Sequence, residues 1–180
     1  RKLSFSARRT MQVAQTLYEN GFITYMRTDS TSLSNEAIDG ARKIIQNEFG
    51  AEYLPANPRE YKTKVKNAQE AHEAIRPSSA YRDPDTVKNY LSPEQFKLYK
   101  LIWDRFMGSQ MADAIYDTLT VDIAALPTDY VFRANGRTLK VPGFLVLQGK
   151  EAAPAESISK ENVDDESKEE TLPPLVVGDG

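Results

Sequence analysis

The sequence lacks several features on which common functional classes depend. None of its 180 residues is cysteine, so neither a disulfide framework nor a Cys-ligated zinc site can form. Its single histidine, His72, excludes a metal cluster built from several histidines. No apolar run approaches the roughly 20 residues needed to span a bilayer, so we expect no membrane partner. Together these absences are compatible with a cytoplasmic protein.

The net charge of −3 conceals an uneven distribution. Residues 1–111 carry 17 Lys and Arg against 13 Asp and Glu, a balance of +4. Residues 112–180 carry 6 against 13, a balance of −7. The basic excess of the first part suits a polyanionic partner, although it is too small to diagnose nucleic-acid binding by itself.

The periodicity of apolar residues predicts an α+β chain with a boundary near residue 112. The segment 1–112 reads as mostly helical, and the segment 113–180 reads as β-strands. The chain begins at Arg1 rather than Met, and we expect it to be a piece of a longer protein. The β part is therefore expected to be an incomplete antiparallel domain.

Three helices are predicted from capping residues and apolar stripes. The first begins after Ser6 and stops at Gly21, with Met11, Ala14, Leu17 and Tyr18 as its core-facing stripe. The second begins after Ser34 and ends at Gly50. The third opens with a capping box at Ser92, and its core face holds much of the aromatic mass: Phe96, Tyr99, Trp103, Phe106 and Met107.

Between the first two helices, residues 22–27 predict a short strand that places Tyr25 and Arg27 on one face. A phenol beside a guanidinium is a plausible place to hold a phosphate, because the planar cation matches phosphate oxygens with paired hydrogen bonds. Taken alone, the pattern is not specific. An isolated tyrosine in an apolar strand is usually a core residue, and an arginine at a strand end is usually solvated.

The second part of the chain alternates apolar and polar residues. A strand is predicted over 115–125, followed by strands over 130–134 and 137–147 joined by a hairpin turn at Asn135-Gly136. The acidic, polar segment at 150–170 predicts a mobile loop. Strand character returns at 172–177.

Two sequence blocks resemble type IA DNA topoisomerases, the bacterial form most of all. Leu17–Ser30 reads LYENGFITYMRTDS and matches the active-site signature of that family. Asn67–Ser78 reads NAQEAHEAIRPS and matches a second family block at the expected spacing. The resemblance runs from about Lys2 to Ala114 and continues more weakly towards the end of the chain.

The resemblance implies a reaction and the residues that perform it. Tyr25 would be the nucleophile that attacks a DNA phosphodiester, forming a 5′-phosphotyrosine and freeing a 3′-hydroxyl. Arg27 would clamp the scissile phosphate, and His72 would lie close to the site. Supporting or DNA-contacting roles are implied for a larger set: Gln15, Glu19, Thr24, Thr28, Asp29, Arg59, Lys62, Lys64, Lys66 and Arg76.

The same resemblance implies that parts of the enzyme lie outside this chain. The acidic metal-binding domain of the family has no counterpart here, so Mg²⁺ would be held by the missing part and the fragment alone would be inactive. In this family the β segment belongs to an arch around a DNA-sized hole. With its partner strands absent, its edges are expected to pair with another copy. The implied partners are DNA, preferably single-stranded, and the remaining domains of the same polypeptide, in a bacterial, nucleoid-associated setting.

Other interpretations remain open from the sequence alone. One is a non-catalytic module that binds single-stranded DNA by stacking Tyr25 on a base. Another is a purely structural helical domain with an adjoining β scaffold. Within the family, reverse gyrase and topoisomerase III share the signature around Tyr25.

Overall fold

The computed structural model describes residues 2–61 and 73–149, and these form an α+β chain as predicted. Contacts divide the chain into two compact units, Arg1–Ala112 and Asp113–Gly180. Among the described residues, no helix combines the length and apolar character required to cross a membrane.

Helix α1 spans Ala7–Glu19 and begins and ends at the predicted signals. The Ser6 side chain accepts a hydrogen bond from the Arg9 N–H, and the chain leaves the helix through Gly21 at a φ of 72°. Its buried side chains are Val13, Ala14 and Leu17. Burial of the completely enclosed Leu17 contributes roughly 1.5 to 3 kcal/mol.

The predicted stripe of α1 is only half correct. Ala14 and Leu17 are buried, but Met11 and Tyr18 expose 41% and 40% of their surface. At about 100° per residue, Met11 lies some 60° and Tyr18 about 40° around the helix from Ala14, on the side away from Leu17. The two apolar residues therefore border the core rather than enter it.

Helix α2 spans Asn35–Ile44, is capped by Ser34 and continues as a π-helical turn over Ile45–Phe49. Gly50, at a φ of 108°, ends it as predicted. A 3₁₀ turn follows over Ala51–Tyr53.

Helix α4 spans Pro93–Ser109 and carries the predicted capping box between Ser92 and Gln95. It follows a short helix, α3, at Pro84–Val87, which the sequence analysis did not identify. The aromatic face of α4 is buried apart from Phe96, which is half-buried. Two polar tips on that face hold the preceding chain, because the Tyr99 hydroxyl donates to the Arg82 carbonyl (2.5 Å) and the Trp103 indole N–H donates to the Ala80 carbonyl (3.3 Å).

The strand predicted over 22–27 is wrong, since only a single antiparallel bridge forms, between Ile23 and Pro77. Two backbone bonds flank it, from the Thr24 N–H to the Arg76 carbonyl and from the Ser78 N–H to the Phe22 carbonyl, both 2.9 Å. The Arg76 N–H then donates to Thr24 Oγ1 instead of continuing the ladder, and Pro77 has no N–H to offer. Arg76 lies in this bridged segment and not in a helix.

The second unit contains an antiparallel hairpin of β1, Ile115–Ala124, and β2, Val131–Val141. The hairpin turn predicted at Asn135-Gly136 is wrong, because both residues lie inside β2 opposite Thr120 and Leu119. The actual turn covers residues 125–130.

The register of the hairpin explains why Asn135-Gly136 does not form the turn. Pairing β1 with an uninterrupted β2 places Val121 opposite Ala134 and Ile123 opposite Phe132, which collects the apolar side chains on one face. That cross-strand pairing outweighs the local preference of Asn-Gly for a turn. A 3₁₀ helix at Gly143–Gln148 replaces the end of the predicted last strand.

The predicted strand at 172–177 and the acidic loop at 150–170 lie outside the described residues. Within those residues the sheet has two strands. Self-association through the hairpin edges stays a prediction.

Candidate active site

Tyr25 and Arg27 line one recess on the surface of the first unit. The recess has a volume of about 420 Å³, and α1 supplies its other wall through Met11, Gln12 and Gln15. A phenol oxygen and a guanidinium group, both solvent-accessible, therefore face the same space. The structure thus brings together three of the residues selected from the sequence: Gln15, Tyr25 and Arg27.

Buried neighbours hold Tyr25 at the surface. Met26 and Ile23 are only 5% and 2% exposed, whereas Tyr25 is 45% exposed. With Met26 buried between them, Tyr25 and Arg27 are both exposed. This is not strand alternation, because the chain bends at Met26 and Arg27, and Ile23, which a strand would place on the face of Tyr25, is buried.

Thr24 fixes the backbone just before Tyr25. Its hydroxyl donates to the Ala74 carbonyl (2.7 Å) and accepts from the Arg76 N–H (2.9 Å). Its own N–H donates to the Arg76 carbonyl (2.9 Å). The chain that carries Tyr25 is therefore joined to the chain that immediately follows His72.

The ring of Tyr25 is held from the side by Tyr18. The two ring centroids are 5.2 Å apart and the planes meet at 67°, an edge-to-face arrangement that contributes about 0.5 to 1.5 kcal/mol beyond area burial. This contact restrains the ring while leaving its outer part accessible.

Other tyrosines of the chain do not share this setting. Tyr99 is completely enclosed, burial raises its pKa to about 12, and its hydroxyl is bound to the Arg82 carbonyl. Tyr61 is as exposed as Tyr25, but its hydroxyl donates to the Ser109 carbonyl (2.9 Å). Exposure alone does not single out Tyr25, whereas the recess that it shares with Arg27 does.

Glu19 reaches the recess through Gln15. The Gln15 amide nitrogen donates to Glu19 Oε1 (2.7 Å), one turn along the exposed face of α1. This bond orients the Gln15 amide at the wall of the recess, so Glu19 has a supporting position rather than a lining one.

Arg76 is committed to contacts within the protein. Its Nε and Nη2 donate to the two carboxylate oxygens of Glu73 (2.7 and 2.8 Å), and its Nη1 donates to the Pro77 carbonyl (2.8 Å). Glu73 also accepts from the Ser34 N–H (2.9 Å). Burial raises the pKa of Glu73, but the hydrogen bonds from Arg76 and Ser34 and the Arg76 charge lower it by more, so its pKa lies below the ordinary value.

Thr28 and Asp29 lie in the polar loop that follows Arg27. Thr28 Oγ1 accepts from the Ser30 N–H (3.0 Å), and Ser30 Oγ accepts from the Ser32 N–H (3.1 Å). Such local bonds shape the loop, while Asp29 is exposed.

Arg59 lies away from the residues that line the recess. Its backbone is held at the end of α4 by the fully buried Gln110, which accepts from the Arg59 N–H (3.2 Å) and donates to the Arg59 carbonyl (3.0 Å). The remaining selected residues lie outside the described part of the chain: Lys62, Lys64, Lys66 and His72.

Three residues near Tyr25 were not identified as site residues from the sequence: Met11, Gln12 and Tyr18. The signal was present in the helical phase of α1, where Met11 and Tyr18 fall beside Gln15 rather than on the Leu17 side. Only the position of the Tyr25 segment shows that this side of α1 faces a recess.

The described residues do not offer a metal site. Over 2–61 and 73–149, no group of three or more His, Asp or Glu side chains is arranged to hold a metal ion. The recess itself presents one cation and neutral polar groups, which suits an anionic ligand and not a divalent metal.

Comparisons with known proteins give a consistent match. Residues 1–179 match the family model described as DNA topoisomerase. The chain is 46% identical over 185 residues to DNA topoisomerase 1 of Rickettsia bellii, covering 97% of this chain and 22% of that protein. It is 55% identical over 148 residues to DNA topoisomerase 1 of Mycobacterium leprae, covering 81% of this chain and 16% of that protein.

A solved structure shows the same fold. Full-length topoisomerase I from Thermotoga maritima matches with a TM-score of 0.71 and 35% identity, over 90% of this chain and 27% of that one. The chain thus spans about a fifth of the length of the two relatives and about a quarter of the solved structure.

Proposed function

The chain belongs to the bacterial DNA topoisomerase I family, and from this we propose that it is the nucleophile-bearing segment of a longer type IA enzyme. The observation that carries the proposal is the shared recess in which the exposed phenol of Tyr25 lies beside the guanidinium of Arg27. The partner is DNA, and the full enzyme relaxes negative supercoils by passing one strand through a transient break in the other.

The proposed chemistry is an exchange of one phosphate ester for another. Tyr25 Oη attacks a backbone phosphorus, the O–P bond to tyrosine forms and the bond from phosphorus to the 3′ oxygen breaks. The phenol proton leaves and the departing 3′ oxygen gains a proton, so the products are a 5′-phosphotyrosine and a 3′-hydroxyl. Because the ester energy is kept in the covalent intermediate, the reverse step reseals the strand without ATP.

Arg27 supplies the positive charge that this reaction needs. A phenol has an ordinary pKa near 10, so attack at neutral pH is favoured by a nearby cation. The guanidinium also offers paired donors to phosphate oxygens as charge builds on them. The contact with Tyr18 holds the Tyr25 ring in place, and the hydrogen bonds of Thr24 hold the backbone before it.

Other parts of the machinery belong to the proposal on grounds of family position. His72 would engage the phosphate, and the basic residues from Arg59 to Lys66 would follow the DNA backbone. Single-stranded DNA is the preferred form, since unpaired bases can stack or lie in a channel. Mg²⁺ would bind elsewhere in the polypeptide, because the recess has no carboxylate set for it. We place the enzyme in the bacterial cytoplasm with the nucleoid.

The proposal is tested by removing one hydroxyl from the full-length enzyme that carries this chain. Tyr25→Phe is expected to abolish the covalent adduct with an end-labelled single-stranded oligonucleotide, while binding is retained, because only the nucleophilic oxygen is lost. The adduct is measured on a denaturing gel, and binding by fluorescence anisotropy.

Tyr90→Phe is the matched control, since Tyr90 is 79% exposed and does not line the recess. An adduct that survives Tyr25→Phe refutes the assignment of the nucleophile. Binding by the unaltered enzyme with no adduct at all would favour the non-catalytic DNA-binding interpretation.

A further inference from the structure

Gln12 lies on the wall of the recess that faces Tyr25 and Arg27. It sits one turn before Gln15 on α1, and its side chain is exposed. Gln12 was not selected from the sequence, since it belongs to neither of the two family blocks.

The orientation of the Gln12 amide is set by two neighbouring residues. Arg9 Nη1 donates to Gln12 Oε1 (3.0 Å), which turns the amide oxygen towards Arg9. Arg9 is itself held by a two-point pairing with the carboxylate of Glu94 at the start of α4, through Nε (3.1 Å) and through Nη2. The Arg9 guanidinium is therefore held by Glu94 while it donates to Gln12 Oε1.

This arrangement leaves the amide nitrogen of Gln12 with both of its N–H groups available. Among the described residues, Gln12 Nε2 has no hydrogen-bond partner. Gln15 differs, because its amide nitrogen already donates to Glu19 Oε1. Of these two wall residues, Gln12 therefore has both N–H donors free, whereas Gln15 has one.

A group that only donates is matched by a ligand that only accepts. Phosphate oxygens are pure acceptors, whereas the edges of nucleobases mix donors and acceptors. Arg27 in the same recess is also a pure donor and carries positive charge. The chemistry at this wall therefore favours backbone phosphate over base edges.

Resting on the proposed function, we propose that Gln12 is a DNA-binding residue that donates through Nε2 to a backbone phosphate of the strand being cut, beside the scissile phosphate. Arg9 and Glu94 act as positioning residues, because they orient the amide without touching the DNA. The contact supplies affinity and register and takes no part in the proton or phosphoryl transfer.

The test uses the full-length enzyme that carries this chain, in the Tyr25→Phe background so that only binding is measured. Gln12→Leu keeps the size of the side chain and removes both donors. Binding of a single-stranded oligonucleotide is expected to weaken about five- to tenfold, the net effect of one typical hydrogen bond. Gln12→Glu keeps the acceptor for Arg9 but places negative charge towards the phosphate, and it is expected to weaken binding further.

The location of the contact is found by replacing phosphates one at a time with uncharged methylphosphonates. At the phosphate that Gln12 contacts, the replacement is expected to weaken binding by the parent protein. The same replacement is expected to weaken binding by Gln12→Leu much less. At all other phosphates the two proteins are expected to lose affinity equally, because distant effects add. The matched control is Gln46→Leu, an exposed glutamine beyond α2.

Two results overturn the proposal. One is that Gln12→Leu binds as tightly as the parent. The other is that each phosphate replacement lowers the affinity of Gln12→Leu and of the parent equally. Glu94→Gln tests the positioning role separately, since it should lower affinity at the same phosphate and nowhere else. The measurement is independent of the nucleophile. A persistent adduct in Tyr25→Phe would refute the proposed function, and an additive phosphate scan would refute only the role of Gln12.

Discussion

At the scale of single residues, one hydroxyl joins two stretches of chain that are 50 residues apart in sequence. Thr24 precedes the proposed nucleophile, and its side chain both donates to Ala74 and accepts from Arg76. A methyl group in place of that oxygen would leave a carbonyl and an N–H unpaired in a half-buried position. The position of Tyr25 thus depends on a neighbour that never needs to touch DNA.

Thr24→Val is expected to lower the free energy of unfolding by about 1 to 3 kcal/mol, because valine keeps the shape of threonine but satisfies neither group. Thr24→Ser keeps the hydroxyl and is expected to retain most of the stability. Urea unfolding followed by circular dichroism measures both. Equal stability of the valine and serine variants would contradict the assigned role of the hydroxyl.

At the scale of elements, the segment 73–78 connects α1, α2 and the Tyr25 loop. The Glu73 carboxylate accepts hydrogen bonds from the Arg76 guanidinium and from the N–H of Ser34, the residue that caps α2. Ser78 Oγ donates to the carbonyl of Gly21 at the end of α1 (2.7 Å). Beyond it, the chain at Ala80 is held by Trp103 of α4. Three helices therefore converge on the short stretch that follows His72.

The stabilising effect of Glu73 is expected to depend on pH. Its pKa in the folded protein lies below the ordinary value, so its contribution is complete above the unfolded pKa, near 4.5. The contribution is lost as the pH falls through the lower folded-state value. Stability conferred by this residue therefore decreases on acidification.

Glu73→Gln is expected to destabilise the protein by about 1 to 2 kcal/mol near pH 7, because a charge-assisted pair with Arg76 is replaced by a neutral contact. The difference between the variant and the parent should be smaller at pH 3 than at pH 7, because the Glu73 carboxylate becomes protonated as the pH falls below 4.5. Chemical unfolding at both pH values measures it. Because the other carboxylates titrate equally in both proteins, a difference that is independent of pH would contradict the prediction.

At the scale of the whole molecule, charge and family membership point the same way. The tyrosine-bearing unit has a basic excess, the second unit is acidic, and the chain spans about a fifth of the relatives it matches. In the proposed reaction, Mg²⁺ is expected to bind outside this recess. The activity is therefore proposed for the longer enzyme.

The isolated chain is expected neither to cleave DNA nor to relax negatively supercoiled plasmid, even with Mg²⁺ added, because the proposed Mg²⁺ site is expected in another part of the longer enzyme. Agarose gel electrophoresis of the plasmid measures relaxation. The full-length enzyme serves as the positive control, and its Tyr25→Phe variant as the negative one. Relaxation by the chain alone would show that its own residues complete the site.

The sequence by itself determined the limits of the main helices and the family. Ser6, Gly21 and Ser92 act through neighbouring backbone groups, so local chemistry places the ends of α1 and the start of α4. The order and spacing of the two family blocks predicted the family, and the comparisons confirm it.

Tertiary structure decided what depends on distant partners. The Tyr25 segment forms one bridge instead of a strand because the Thr24 hydroxyl takes the Arg76 N–H that would continue the ladder. Asn135-Gly136 stays within β2 because of its pairing with β1. Met11, Gln12 and Tyr18 became site residues only when the Tyr25 loop packed beside them. Local propensity cannot encode such outcomes, because their energy comes from contacts between residues far apart in the chain.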